Sequence, residues 1–240
     1  MLISDAINNS STSILPWLSP VFEDYDFISF IQSEGKPSKY EKHEIITSEY
    51  ESSQKVIFLT SGLLVSLTTY HELSKPFLIS NICIPCTICG YARYLVKHQP
   101  PLRTTALCNS EAIAVPFKQL DRYFSKNNKA YNSFMTYCGY CMRSEITSML
   151  AMLTLPAEDK FWILMGAIAL HFNIDIKKKW FTIPFKVNRE ILSGLLYVSL
   201  ITIDRLINNF TKKNLIYKEY GIYHFSSCEV RKGIDWIHGQ

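Results

Sequence analysis

The chain has 240 residues, 48% of them hydrophobic, enough for two modest cores. Its net charge of +4 is unevenly placed: thirteen basic and thirteen acidic residues precede Leu155, while twelve basic and eight acidic residues lie from Leu155 onward. No Gly-rich phosphate loop, G-x-S-x-G elbow or H-E-x-x-H occurs, and the six histidines show no metal-ligand spacing, so an enzyme and a metal site are set aside.

From the N-terminus, residues 1–34 read as a helical or flexible segment that includes the low-complexity run NNSSTS (Asn8 to Ser13). Nothing there marks export, and the densest apolar run, Phe161 to Phe172, is too short to span a bilayer. A cytoplasmic chain with reduced thiols is therefore expected. Residues 35–126 read as β-rich. Val56 to Leu67 (VIFLTSGLLVSL) places two extended runs around Ser61 and Gly62. A third run, Pro76 to Ile84, follows the turn-like HELSK, and a fourth covers Glu111 to Pro116.

Cys83, Cys86 and Cys89 have the C-x2-C-x2-C spacing of iron-sulfur ligands. In one extended strand Cys86 would face away from the other two, because side chains alternate. A bend at Pro85 could gather all three, with Cys108 as a fourth ligand. The reading preferred is of small apolar core residues, with no cofactor; a redox site or an iron-sulfur cluster on these four cysteines is the alternative.

From Lys129 to Leu153 one long helix is expected, within a segment 127–154. Tyr131, Phe134, Met135, Cys138, Met142, Ile146, Met149 and Leu153 form a stripe at the spacing that packs on a partner helix. Thr154-Leu155-Pro156 breaks it, and a new helix starts at Ala157 with Glu158 and Asp159 at its positive end. This break is read as a hinge.

The last part, residues 155–240, holds the most informative stretch. Trp180 to Phe185 (WFTIPF) reads as a strand, after the basic loop Lys177 to Lys179. Asn188 to Leu196 reads as a short helix burying Ile191, Leu192, Leu195 and Leu196, with Val198 in the turn. Ser199 supplies a cap for a second helix, whose Ile203, Leu206, Ile207 and Phe210 have the spacing of a buried face. The other face carries Thr202, Arg205, Asn208, Asn209 and Lys212, polar donors suited to a major groove. Ile216 to Phe225 then alternates around Gly221 like a hairpin wing.

The run IPFKVNREILSGLLYVSLITIDRLINNFTKKNLI resembles the winged helix-turn-helix of the CRP/FNR superfamily of transcription regulators, with Ser199, Thr202, Arg205 and the Asn214-Leu215-Ile216 ending in place. The runs of residues 35–126 are similar to the cyclic-nucleotide-binding-like domain of the same superfamily. The resemblance implies an α+β fold: an N-terminal β jelly-roll sensor-like domain, a long dimerisation helix, and a C-terminal winged helix-turn-helix. It implies double-stranded DNA and a second copy of the chain, through residues 129–153, as partners, and RNA polymerase as a further one.

The chain also departs from the family. Tyr197 stands where the turn usually has glycine, and Leu200 and Ile201 stand where two polar base readers are expected, so the family's target sequence does not carry over. Leu200 and Ile201 either touch thymine methyls or pack against the neighbouring domain. Asp204 would repel phosphate unless it accepts from a cytosine amino group or pairs with Arg205. In the sensor-like domain, the Gly-Glu pair that holds a ribose falls on Gly90-Tyr91, and the Arg-Ser pair that holds the phosphate falls on Arg103-Thr104. The missing glutamate argues against cyclic AMP, and Arg103 is left as a possible anion contact. The superfamily's iron-sulfur sensors use cysteines in an N-terminal extension, and Met1 to Glu34 has none. In overall pattern the chain is similar to the enterobacterial IprA-like group, associated with peroxide resistance. The rival reading is a dimeric regulator that binds protein, with its DNA reading degenerate.

Overall fold

The computed structural model describes residues 14–47, 54–68, 78–96, 102–186 and 188–239. The NNSSTS run, the HELSK turn and Pro76 lie outside the described residues. The chain divides into two compact units, one built mainly from residues up to Ser144 and one mainly from Glu145 onward.

The first unit is organised by the apolar run Val56 to Leu59. It lies in strand β3 (Lys55–Ser61), where successive side chains point to opposite faces, and all four are fully buried. A strand covered on both faces needs a continuous apolar run rather than an alternating one. Ile57 and Leu59 face an inter-sheet core shared with Leu64, Cys83, Cys89, Ala106 and Ala112. Val56 and Phe58 face a helical layer with Phe27, Phe124, Phe134 and Tyr137.

Two four-stranded antiparallel sheets supply the inter-sheet core. In the first, β3 lies between β6 (Ile88–Cys89) and β8 (Ser110–Pro116), and β1 (Lys36–Tyr40) pairs with β8 at the edge. The second has the order β2 (Ile45–Thr47), β7 (Leu102–Ala106), β4 (Leu64–Thr68), β5 (Leu78–Cys83). The turn between β3 and β4 requires glycine: Gly62 has φ 90°, and a Cβ there would collide with the Ser110 side chain. The helical layer contains α1 (Tyr25–Glu34), a short α2 (Tyr91–Leu95), and α3 (Phe117–Phe124).

A long helix, α4 (Asn128–Thr154), follows. Its apolar residues do not form the single stripe expected of them. Phe134, Tyr137, Cys138 and Cys141 are buried in the helical layer of the first unit, whereas Met142, Ile146, Met149 and Leu153 are exposed. Phe134 and Cys138 thus leave the expected stripe because the unit's own core claims that side of the helix. Tyr137 fixes α4 to β6: its hydroxyl accepts from the Ile88 amide at 2.8 Å and donates to the Ile88 carbonyl at 3.2 Å.

A bend near Pro85 occurs, with Cys86 at φ 67°, but it turns Cys86 away from Cys83 and Cys89 instead of gathering all three. Cys83 and Cys89 enter the inter-sheet core, Cys86 enters the helical layer, and Cys108 is half-buried. A hydrogen bond to Cys83 and burial hold the Cys89 thiol well above the ordinary range, and burial pushes Cys138 up to about 12. Such thiols are poor nucleophiles. Among the described residues no group of three or more His, Cys, Asp or Glu side chains is placed to hold a metal.

The second unit is built around α5 (Ala157–His171), which is buried on almost every side from Lys160 to Ala169. Such a helix has to be the centre of its domain. It crosses α8 (Ser227–His238), a C-terminal helix that the sequence reading did not anticipate. Gly233 permits the crossing, since a Cβ there would meet the Trp162 backbone. Between them in sequence come β9 (Trp180–Phe181), α6 (Arg189–Leu196), α7 (Leu200–Lys212), β10 (Ile216–Glu219) and β11 (Ile222–Ser226). The strand expected over Trp180 to Phe185 is only two residues long; Thr182 onward leaves the sheet. Among the described residues no helix is long and apolar enough to cross a membrane.

Candidate DNA-reading face

Each end of the α6–α7 pair is set by a local signal. Asn188 caps α6 by accepting from the Ile191 amide at 2.8 Å, and Ser199 caps α7 by accepting from the Thr202 amide at 3.1 Å. Each such cap contributes about 1 kcal/mol. Between the helices Tyr197 takes the left-handed conformation, φ 51° and ψ 54°, that glycine would adopt without strain. Ser193 steadies the turn by donating to the Val198 carbonyl at 2.6 Å.

The inner face of α7 is fixed by Ile203 and Phe210, both buried, with Leu206 and Ile207 half-buried beside them. The Phe210 ring lies 4.9 Å from Trp162 and 5.2 Å from Phe161 of the central helix. Of the expected inner residues of α6, Leu192, Leu195 and Leu196 are buried and Ile191 is half-buried. The opposite face of α7 is exposed at Ile201, Arg205, Asn208, Asn209 and Lys212, positions that follow one another around one side of a helix. Leu200 is exposed beside them, and Thr202 is half-buried with its hydroxyl 2.9 Å from that of Ser199.

Leu200 is 41% and Ile201 64% exposed. One expectation changes here. Asp204 does not pair with Arg205. It accepts two hydrogen bonds, at 3.0 and 2.9 Å, from Nη1 of Arg189 on α6. Sequence reasoning missed Arg189, whose distance of fifteen residues from Asp204 carries no local periodicity.

The wing is β10 and β11, paired antiparallel from Ile216–Phe225 to Glu219–Ile222, with β9 on the far side of β11. Tyr220 and Gly221 both have positive φ, as a tight two-residue hairpin turn requires. On one face of this sheet Tyr217 stacks on His224 at 4.4 Å, and Trp180 meets Tyr217 edge-on at 4.8 Å. Lys179 of the basic loop lies 5.9 Å above the Trp180 ring.

In the first unit, Gly90 has φ 83° and begins α2, and Tyr91 is buried in the helical layer with its ring edge-on to Tyr137 at 6.4 Å. Arg103 and Thr104 are successive residues of β7, Arg103 half-buried and Thr104 buried, and point to opposite faces of the sheet.

Sequence comparison matches no family model and no curated protein. In three dimensions the chain is similar to the c-di-GMP responsive global regulator CLP of Xanthomonas campestris, with a TM-score of 0.69 at 9% identity over 85% of this chain and 99% of that one. FixK2 of Bradyrhizobium japonicum matches with a TM-score of 0.68 at 14% identity, over 85% and 96% of the two chains. A CRP-family transcriptional regulator of Thermus thermophilus matches at 0.66 and 10% identity, over 82% and 96%. The chain shares the fold of these three proteins: an α+β chain with a β-rich N-terminal domain, a long helix and a C-terminal winged helix-turn-helix.

Proposed function

We propose that this chain is a sequence-specific, double-stranded-DNA-binding transcription regulator of the CRP/FNR type, acting as a cytoplasmic homodimer rather than as an enzyme. The observation that carries the reading is the capped helix α7, anchored by Phe210 and Ile203 and exposing Arg205, Asn208, Asn209 and Lys212 on one side. Arg205 is the side chain able to hold a guanine edge through paired hydrogen bonds, and Lys212 would meet phosphate. Ser199 positions the helix.

The second copy is the occupant for the exposed side of α4, where Met142, Ile146, Met149 and Leu153 recur at helical heptad spacing. Two readers related by a two-fold axis would address half-sites about 34 Å apart. RNA polymerase is the further partner if the regulator activates.

Cyclic AMP is not the effector in this reading, because the buried Tyr91 stands where a ribose-binding carboxylate is needed. Gly90, Arg103 and Thr104 remain the candidate effector positions, and no resident cofactor is invoked. Within the class, the likeness of pattern to the enterobacterial IprA-like group makes a role in stress response part of the proposal.

The test is retention of random duplex DNA by the purified, reduced protein at two salt concentrations, followed by sequencing. A two-fold symmetric sequence, lost steeply as salt rises, is the expected result. Retention without preference, or none, overturns the reading in favour of a regulator that binds protein through Leu200 and Ile201.

A further inference from the structure

The first turn of α7 meets its surroundings with an unusual set of groups. Its polar side chains are all engaged: the Ser199 and Thr202 hydroxyls lie 2.9 Å apart, Ser199 also accepts from the Thr202 amide, and both Asp204 oxygens accept from Arg189. What projects freely is aliphatic, Leu200 at 41% exposure and Ile201 at 64%. A major groove offers hydrogen-bond donors and acceptors at every base pair, but only one apolar group, the C5-methyl of thymine. Aliphatic side chains set against any other base edge would strip water from polar atoms and return no hydrogen bond.

We propose that Leu200 and Ile201 read thymine through its methyl group, so that each half-site is specified in part by an apolar contact. This rests on the DNA-binding reading given above. Ile201 and Arg205 are neighbours on the exposed side of α7, one turn apart. Side chains so spaced have Cβ atoms about 5–6 Å apart, and bases in one strand rise about 3.4 Å per step. The thymine under Ile201 therefore lies within about two base pairs of the guanine held by Arg205.

Uracil differs from thymine only by that methyl, which gives a test independent of protein folding. Duplex sites selected from a random pool are resynthesised with deoxyuridine in place of thymidine, position by position, and their affinities are compared. Loss of each contacted methyl is expected to weaken binding by about fourfold, equivalent to about 0.8 kcal/mol of apolar burial. The doubly substituted Leu200→Ser, Ile201→Ser protein is expected to bind thymidine and deoxyuridine duplexes equally. Equal binding of both duplexes by the unsubstituted protein overturns this inference and leaves the DNA-binding reading standing. Failure to retain any duplex overturns the DNA-binding reading, and this inference with it.

Discussion

Arg189 on α6 and Asp204 on α7 form a two-point contact, Nη1 to both carboxylate oxygens at 3.0 and 2.9 Å, that bridges the two helices of the reader. The pair is exposed, with side-chain accessibilities of 54% and 43%, so its weight lies in geometry and charge more than in stability. In the DNA-binding reading proposed above, it neutralises a carboxylate that would otherwise oppose a phosphate backbone. Asp204→Asn is expected to leave the melting temperature nearly unchanged and to tighten DNA binding, with the slope of log K against log salt steeper by about 0.9. Titration at three salt concentrations measures it; weaker binding would mean that the contact is needed to hold α7 in place.

Arg205 is exposed on the reading side of α7 and carries the base-reading role in this interpretation. Arg205→Ala is expected to weaken binding and to relax preference at one base position by roughly 1–3 kcal/mol. Repeating the selection with the variant checks this, and an unchanged preference at every position would remove Arg205 from the reader.

Tyr197 holds a left-handed conformation with 53% of its surface exposed, so it has strain to lose and little packing. Tyr197→Gly is expected to stabilise the reader by about 1 kcal/mol, the usual cost of a side chain in that region. Thermal or urea unfolding of the two proteins gives the difference.

On α4, Ile146 and Met149 are 55% and 52% exposed in the single chain. Ile146→Glu or Met149→Glu places a charge on the face assigned to the second copy, and is expected to shift the protein from dimer to monomer in sedimentation and to reduce affinity for a two-fold site. An unsubstituted protein that sediments as a monomer would refute the assignment directly.

His171 ends α5, and burial lowers its pKa to about 4. The neutral form is the one the folded state holds, so the stability this contributes is full above the ordinary histidine value of about 6.5. It is lost progressively as pH falls toward about 4, because the unfolded chain takes up a proton that the folded chain refuses. In a pH series of melting temperatures, His171→Phe is expected to fall less than the unsubstituted protein over that window.

Much of the reader was legible in the sequence because its signals are local. Ser199, the spacing of Ile203 and Phe210, and the polar series from Arg205 to Lys212 lie within one helix and need no distant partner to be recognised. The β-rich unit was legible in part: the runs around Gly62 and at Glu111 to Pro116 became β3, β4 and β8. The short strands β1 and β2 escaped, and so did α8, although its buried Val230, Gly233, Ile234 and Ile237 stand at helical spacing.

The sequence by itself determined the capped helix pair α6–α7, the runs that became β3, β4 and β8, and the break at Thr154 to Pro156, since caps, turns and periodicity act over a few residues. Only the tertiary structure decided which neighbours those elements meet. It divided the apolar residues of α4 between the unit's own core and solvent, sent Cys86 to a different core from Cys83 and Cys89, and gave Asp204 to Arg189 instead of Arg205. Each of these is a choice among partners distant in the chain, and it is settled by how layers pack and which groups must leave water. A local pattern can state that a face is apolar, but not what will cover it.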